Sequence, residues 1–341
     1  MCNLTARGTE ASKEEMQRVR LSIVICLLAG GQLHAQNAAA SGFPPPGQLV
    51  DIRGRKLHLY CTGEGHPTVI LVAGGGAYSI DWALVQPKIA KVARVCSYDR
   101  AGLAWSDPGP ADETAEQTVN DLHALLRAAK QQGPYVLVGA SIGGIFITAY
   151  QRAHPEEVAG LVFTNSANRV GFSVKGKGDL IWKLSEEDLR SGYPLPSSIR
   201  PPKPSREEEP FDRLPANLQA VRLWLDVRLW GAWDPSKATA DSLLSWRREF
   251  LKLFDATDAG KQAPLGDLPV VVLSSGPEGT AAERQTRDGA GARLDFLSRN
   301  TAHIAAAGSG HEIHLYMPDM VVEAIARALS AVNEHVPLVN R

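Results

Sequence analysis

The chain has 341 residues, with 36 lysines and arginines against 37 acidic residues and a formal net charge of −1. This near-neutral charge gives no electrostatic reason to expect nucleic acid or an anionic membrane surface as a partner. The hydrophobic content of 44% is that of an ordinary globular protein, and the length fits one large α/β domain with an insertion or two smaller domains.

The N-terminal segment differs in character from the rest of the chain. Arg18 and Arg20 precede an apolar run at 21–29, which ends in small residues. This order predicts a secretory signal peptide over 1–36, and therefore a secreted or periplasmic protein. The acidic, polar residues before Met16 favour that methionine as an alternative start. The apolar run is short for a permanent membrane span, so stable membrane insertion is not expected; a buried helix is the other alternative.

A Gly/Pro-rich linker at 37–47 leads into a segment of alternating strands and helices. Two short strands at 48–52 and 56–61 have the pattern of a hairpin. Continuous apolar runs then predict strands buried on both faces, at 68–72, 93–96, 135–138, 161–163, 269–273 and 302–306. Helical patterns lie at 115–130, 145–153 and 320–332. The alternation predicts a largely parallel sheet in a core formed by 48–170 and 263–338.

The alternation is interrupted at 171–262, which we interpret as an inserted helical cap. Helical patterns occur near 218–229 and 242–254. Tryptophan is concentrated here, and three of these residues are candidates for lining an apolar substrate pocket: Trp182, Trp224 and Trp230. Packing between helices is the alternative use of these side chains.

A Gly-x-Ser-x-Gly motif at 139–143 lies between the strand at 135–138 and the helix at 145–153. A sharp strand-to-helix turn of this kind exposes a serine hydroxyl beside the N–H groups of the helix, and the flanking glycines leave room for it. The motif predicts Ser141 as a catalytic nucleophile. His311, in a Gly-Ser-Gly-His string after the last strand, is the predicted general base.

Metal chemistry is not predicted. His311 and His314 are too closely spaced for the metalloprotease helix, and neither a CxxC pair nor a Cys/His cluster is present in the sequence. Acyl transfer through an activated serine requires no metal and no organic cofactor.

These motifs together resemble the α/β-hydrolase superfamily, and within it the capped, esterase-like serine hydrolases. The resemblance runs from about 48 to 332 and rests on five segments: the turn at 139–144, the glycine-rich 73–76, the strings 97–102 and 105–107, and the string 308–311. It implies an α/β-hydrolase fold with a mostly parallel eight-stranded sheet, flanking helices and an inserted helical cap. A serine in the turn argues against the dehalogenases and epoxide hydrolases of this fold, which carry aspartate there.

The resemblance also implies roles for the glycine-rich segment. The backbone N–H groups of Gly75 and Ile142 are expected to form the oxyanion hole, with Gly74 and Gly76 beside the substrate. Many relatives have His-Gly where this chain has Ala73-Gly74, so support of the loop is expected to differ. A tight turn is the alternative reason for the glycines.

The acid of the triad follows the penultimate strand in this family, and the first carboxylate there is Glu278, with Asp288 and Asp295 as fallbacks. Asn165 occupies the other position known for the acid. Asp99 matches the family's structural aspartate.

The family's strand order places the strands of Cys61 and Cys96 side by side and implies a disulfide between them; two buried thiols are the alternative.

The predicted protein is an exported serine hydrolase that cleaves a small-molecule carboxylic ester, with an apolar acyl or aryl group, through an acyl-enzyme. A lactonase, an amidase or peptidase, and a perhydrolase would use the same triad. A non-catalytic binding protein of the same fold is the alternative from another class.

Overall fold

The computed structural model describes residues 42–109, 115–166, 173–175, 181–183, 210–230, 265–275 and 298–338. The chain forms two compact units, Met1–Pro44 and Pro45–Arg341. Of the first unit only residues 42–44 are described, without regular secondary structure. The second unit carries all the elements below.

An eight-stranded sheet forms the centre of the second unit, in the order β1-β2-β4-β3-β5-β6-β9-β10. β1 and β4 both pair with β2 in antiparallel orientation, and the other neighbours are parallel. The eight strands are β1 (Gln48–Asp51), β2 (Lys56–Thr62), β3 (Thr68–Val72), β4 (Val95–Tyr98), β5 (Tyr135–Ala140), β6 (Val158–Thr164), β9 (Val270–Ser275) and β10 (Thr301–Ala306). A separate hairpin pairs β7 (Ser173–Lys175) with β8 (Ile181–Lys183). The predicted fold class, a mostly parallel eight-stranded α/β sheet, is confirmed.

The described helices are α1 (Gln86–Ile89), α2 (Ala115–Ala128), α3 (Gly143–Ala153), α4 (Ala216–Trp230), α5 (Ile313–Tyr316) and α6 (Pro318–Glu334). On one face of the sheet, α2 and α3 bury Leu122 and Phe146 in the larger core cluster. On the other face, α6 buries Val321 and Ile325 in a second cluster that includes Ile89. The sheet is therefore covered on both sides, which explains the continuous apolar strands.

Most strand bounds differ from the predictions by one to three residues, and the β7–β8 hairpin lies in the segment interpreted as a helical cap. Two of the differences change which residues are buried. β4 begins two residues later than the apolar run suggested and continues through Ser97 and Tyr98, both of which are buried. β10 is not buried on both faces: Ala305 is exposed and His303 is partly exposed. The reason is position, since β10 lies at the edge of the sheet beside β9 alone.

The carboxyl ends of the parallel strands meet at one edge of the sheet, where ligands bind in open α/β folds. The turns after β3, β5 and β10 lie there, and these contain the predicted Gly74–Gly76 segment, Ser141 with Ile142, and His311. None of the helices in the described parts of the chain combines the length and apolarity needed to cross a bilayer.

Candidate active site

Ser141 lies between β5 and α3 with a backbone φ of 50°, in the left-handed region. Its N–H donates to the carbonyl of Thr164 at the end of β6 (3.3 Å), and its own carbonyl accepts from Gly144 N–H (3.1 Å). A side chain other than glycine adopts this φ only where the surrounding structure imposes it. The turn therefore has the strained strand-to-helix geometry that the motif predicted.

The glycines of this turn are required by close backbone contacts. A Cβ atom at Gly139 would lie 2.7 Å from the backbone of Gly143, and one at Gly143 would lie 2.4 Å from the carbonyl oxygen of Val72. Helix α3 thus begins directly against the end of β3. This contact brings the turn after β3 beside Ser141.

The glycine-rich turn after β3 lies against the serine. A Cβ atom at Gly74 would lie 3.1 Å from Ser141 Cβ, and one at Gly75 would lie 3.5 Å from Ile142 Cδ1. Gly76 has a φ of 62°, which accounts for glycine there by turn geometry. The structure thus brings Gly74 and Gly75 beside Ser141 and Ile142, as an oxyanion hole requires.

Arg100 supports this turn through hydrogen bonds to two of its backbone carbonyl groups. Its Nη1 donates to Ala73 O (2.5 Å) and its Nη2 to Gly74 O (2.6 Å), while the guanidinium lies 5.1 Å from the Phe146 ring centre. A planar guanidinium can hold two successive carbonyl groups at fixed positions, which lysine cannot. Arg100 therefore supplies support for a turn that lacks the histidine of many relatives. The string 97–102 includes Arg100 but carries no signal for this role.

His311 lies in the turn after β10, and its partner is Asn165 at the end of β6. Asn165 Nδ2 lies 3.1 Å from His311 Nδ1 and donates to the His311 carbonyl oxygen (3.1 Å). Asn165 also has a positive φ of 45°, and its N–H donates to Leu273 O (2.7 Å). Since Asn165 follows Thr164, which binds the backbone of Ser141, the turns that carry the serine and the histidine share one neighbour.

His314 lies nearby but is fully enclosed. Its ring packs on Trp82 at 4.6 Å, and burial lowers its pKa to about 3. An imidazole with this pKa stays neutral at any ordinary pH. Of His311 and His314, only the exposed His311 is therefore available for proton transfer with a substrate.

The predicted acid, Glu278, lies outside the described residues, and so do the fallbacks Asp288 and Asp295. The carboxylate Asp99 belongs to a different network. It accepts a hydrogen bond from Ser79 N–H (2.7 Å) and pairs with the fully buried His58 at 2.7 Å. These contacts tie the turns after β3 and β4 together and give Asp99 a structural role.

Helix α4, within the predicted cap, packs on the turns after β3 and β4. Val221 and Leu225 form a buried cluster with Tyr78 and Ile80, and partly buried Trp224 packs against this cluster, 6.5 Å from the Trp105 ring. Trp224 therefore packs between elements, which is the alternative use predicted for these tryptophans. Trp182 lies in β8 and Trp230 is the last residue of α4; their side chains are outside the described residues.

A charged group lies beneath α4. Arg222 Nε lies 3.2 Å from Asp81 Oδ1, and its Nη1 lies 3.5 Å from Asp226 Oδ1, which accepts from the Tyr78 hydroxyl (3.0 Å). The guanidinium also lies 3.7 Å from the Phe211 ring centre. Burial raises the pKa of Asp81 to about 6, with Arg222 acting in the opposite direction. Sequence patterns gave no signal for this group because Tyr78 and Asp81 are far along the chain from Arg222 and Asp226.

Cys61 on β2 and Cys96 on β4 are directly opposite each other in the antiparallel register and form a disulfide. The pairing that the family resemblance implied is present in the structure.

Comparisons with known proteins agree with this architecture. The family described as alpha/beta hydrolase fold matches residues 67–318, well over half of the chain. A probable transporter from Hormonema carpetanum is 32% identical over 127 residues, 35% of this chain and 18% of that protein. The 2-hydroxymuconate semialdehyde hydrolase of Pseudomonas sp. (strain CF600) is 31% identical over 147 residues, 42% of this chain and 51% of that enzyme.

Among solved structures, a thermophilic esterase from Thermogutta terrifontis superposes with a TM-score of 0.57 at 20% identity, over 83% of this chain and 97% of that chain. This chain matches only about half or less of the length of each curated relative named above. The activity of the whole relative is therefore not assigned to this chain. The sheet order, the turn at Ser141 and the family match agree, and the chain belongs to the α/β hydrolase family.

Proposed function

We propose that this protein is a serine hydrolase that cleaves carboxylic esters through an acyl-enzyme on Ser141. The observation that carries the proposal is the left-handed backbone of Ser141 at the start of α3, with the Gly74–Gly75 turn against it. A strained serine in this setting presents its hydroxyl outward, next to backbone donors.

The chemistry has two steps. His311 takes the proton of the Ser141 hydroxyl as the serine oxygen attacks the ester carbonyl, and it returns that proton to the leaving alcohol. The new serine–acyl bond replaces the carbonyl–alkoxy bond. Water, deprotonated by His311, then cleaves the acyl-enzyme to give the carboxylic acid and free serine. The N–H groups of Gly75 and Ile142 stabilise the oxyanion in both steps.

The nucleophile is tested with p-nitrophenyl acetate and butyrate and with a fluorophosphonate probe. We expect wild type to hydrolyse the esters and to be labelled, and Ser141→Ala to do neither. Ser330→Ala, on the outer face of α6, is the matched control and should behave as wild type. If wild type is labelled but does not hydrolyse these esters, lactones and amides are the next substrates to test. A folded wild type that is neither labelled nor active would support a non-catalytic binding protein.

The orientation of His311 requires an acceptor for its Nδ1–H. A base that receives the serine proton on Nε2 must carry its own proton on Nδ1, and a carboxylate stabilises this tautomer. The amide group of Asn165 lies beside Nδ1 and donates to the His311 carbonyl, so it fixes the position of the residue without supplying the charge. We assign the charge to Glu278.

A rescue experiment tests this assignment. Glu278→Gln should lower kcat by about 10⁴-fold, the cost of leaving the imidazole in the wrong tautomer. Asn165→Asp places a carboxylate next to His311 Nδ1, so the double variant should recover a measurable part of the loss. Full activity of Glu278→Gln would mean that the acid lies elsewhere, with Asp288 and Asp295 next. Asn165→Ala is the control for loss of the amide alone.

The preferred ester follows from the residues around the site. Trp224 and Trp105 add aromatic surface near the turns at the carboxyl edge, and Trp182 and Trp230 belong to the same predicted cap. We propose an apolar acyl or aryl group on the substrate. A series of p-nitrophenyl esters of increasing chain length should show rising kcat/KM; a flat profile would contradict the preference.

Hydrolysis of a carbon–carbon bond is the second candidate. Its support is the 31% identity over 147 residues to the 2-hydroxymuconate semialdehyde hydrolase of Pseudomonas sp.. Incubation with 2-hydroxymuconate semialdehyde, followed by the loss of its visible absorbance, distinguishes the two. A kcat/KM for this substrate well above that for the esters, and lost in Ser141→Ala, would favour the second candidate.

We propose export because residues 18–36 have the succession of a signal peptide: basic residues, an apolar run and small residues. The Cys61–Cys96 disulfide supports the proposal, because disulfides persist in oxidising compartments. Mass spectrometry of the protein recovered from the producing cells tests this. We expect a mature chain that begins near 37 in the extracellular or periplasmic fraction. An uncleaved chain found only in the cytosol would contradict the proposal.

A further inference from the structure

Two histidines and a glutamate come together at the end of α3 remote from Ser141. His123 lies on α2, His154 follows α3, and Glu157 ends the short turn before β6. One ligand atom from each of the three side chains lies within 4.8 Å of the others. His123 and Glu157 are 34 residues apart in the sequence, which is why no spacing motif indicated the group.

The contacts within the group are close. The imidazole rings of His123 and His154 stack at 4.0 Å with an angle of 15° between their planes. Glu157 Oε1 lies 3.2 Å from His123 Nε2. His154 Nε2 is buried and has no hydrogen-bond partner among the residues that the structure describes. A buried ring nitrogen that has no hydrogen bond lacks a partner that its surroundings should supply.

A further residue fixes the carboxylate. The Tyr150 hydroxyl donates to Glu157 Oε2 (2.6 Å), and the Tyr150 ring lies 5.0 Å from that of His154. Ligands of metal sites are typically held in this way by hydrogen bonds from outside the site. With Oε2 engaged by the tyrosine, Oε1 is the oxygen that faces the two imidazoles.

We propose that His123, His154 and Glu157 bind a divalent transition metal ion of the zinc class, with water as the fourth ligand. Imidazole nitrogen and carboxylate oxygen are ordinary zinc ligands, at about 2.0–2.2 Å from the metal. Tetrahedral bonds of this length place ligand atoms about 3.4 Å apart. Because the two rings are stacked, binding requires them to rotate out of this arrangement until a nitrogen of each ring points at the metal.

The ion has an approach from solvent. His123 lines a surface cavity of about 570 Å³ between α2 and the β1–β2 turn. The side chains of His123 and Glu157 keep 26% and 23% of their exposure. A metal site needs such an entry path as well as a suitable set of ligands.

The proposed ion is structural. It would tie α2 to the turn between α3 and β6, and this turn is distant from the carboxyl edge where Ser141 and His311 lie. An ion that binds the folded chain and not the unfolded one raises the stability in proportion to its affinity. We therefore expect the metal to raise the melting temperature while ester hydrolysis stays unchanged.

Calorimetric titration of chelator-treated protein with ZnCl₂ tests the proposal. Wild type should bind one Zn²⁺, with a melting temperature higher by several degrees. His154→Ala and Glu157→Gln should weaken binding by at least about 100-fold, and Tyr150→Phe by about 10- to 100-fold through loss of the hydrogen bond to Glu157. His335→Asn, at the exposed end of α6, is the control and should bind as wild type.

Circular dichroism without metal shows whether each variant is folded. Tyr150→Phe keeps the buried ring and therefore separates a loss of binding from a loss of folding. The electron paramagnetic resonance spectrum of bound Cu²⁺ should show coupling to two nitrogens in wild type and to one in His154→Ala. The proposal is wrong if wild type binds no Zn²⁺, or if folded His154→Ala and Glu157→Gln bind it as tightly as wild type does.

Discussion

Ser141 reaches its partly exposed position because Gly139 and Gly143 have no side chain. Its φ of 50° is imposed by the contact of α3 with the end of β3, where Gly143 touches Val72 O. The same contact fixes the distance between Ser141 and the Gly74–Gly75 turn. The strain at the serine and the position of the proposed oxyanion hole therefore have one structural cause.

Gly143→Ala tests this cause. The added methyl group would lie 2.4 Å from the Val72 carbonyl, so α3 must move away from β3. We expect a loss of about 1–3 kcal/mol in the free energy of unfolding and a fall in kcat that exceeds any change in KM. Urea unfolding and ester kinetics measure the two effects. Gly133→Ala, where the methyl group would first meet atoms at 3.4 Å, is the control and should cost less in both.

Arg100 also positions the Gly74–Gly75 turn, through its hydrogen bonds to Ala73 O and Gly74 O. Arg100→Lys keeps the charge but cannot hold Ala73 O and Gly74 O together. We expect kcat to fall by about 10- to 100-fold, since displacement of a catalytic group by about 1 Å costs this much. Arg299→Lys, at an exposed ion pair with Asp267, is the matched control. Equal kinetics for the two lysine variants would show that the guanidinium does not position the turn.

At the scale of elements, α4 is attached to the sheet by both apolar and charged contacts. Leu225 packs with Tyr78, and Arg222 faces Asp81 beneath the helix. An ion pair in a buried setting contributes little net stability, because both charges must leave water. Its presence makes the attachment of α4 depend on pH.

The pH dependence is tested with Asp81→Asn. The pKa of Asp81 is raised from 3.8 to about 6, chiefly by burial, so between these values the folded chain binds more protons than the unfolded chain. Stability due to this group is therefore present at low pH and is lost as the pH rises from about 4 to 6, by about 3 kcal/mol in all. As the pH rises across this range, the free energy of unfolding of wild type should therefore fall relative to that of Asp81→Asn.

Urea unfolding at several pH values measures that difference. His314, whose lowered pKa has the opposite effect on stability, is present in both proteins and cancels. Asp319→Asn, at an exposed pair with Lys88, is the control and should show no such shift. A constant difference between Asp81→Asn and wild type from pH 4 to 7 would contradict the prediction.

At the scale of the whole molecule, the disulfide joins β2 to β4 across the antiparallel part of the sheet. It closes a loop with a sequence separation of 35 residues, which includes β3 and α1. A crosslink of this length stabilises mainly by limiting the freedom of the unfolded chain.

Replacement of both cysteines by alanine should therefore lower the free energy of unfolding by about 2–4 kcal/mol. Urea unfolding of the oxidised wild type and of the double variant measures the loss. Wild type unfolded in the presence of dithiothreitol should behave like the variant. Identical unfolding midpoints for the oxidised wild type and the variant would show that the crosslink contributes nothing.

The sequence by itself determined the succession of core strands and long helices along the chain, and the strained turn at Ser141. These features depend on neighbours in the chain: a continuous apolar run predicts a strand buried between two layers, and Gly-x-Ser-x-Gly after such a run predicts the strained turn at Ser141. The edge position of β10 was not predictable in this way, because exposure of an edge strand depends on which strands lie beside it.

Only the tertiary structure decided the partners of the site residues. Asn165 at His311, Arg100 beneath the Gly74 carbonyl, and Arg222 against Asp81 join segments that are far apart in the sequence, and contacts of this kind leave no periodic signal. The group of His123, His154 and Glu157 has the same origin. A local pattern specifies the geometry of the backbone, whereas the neighbours of a side chain across the sheet follow from how the strands are ordered and how the helices pack on them.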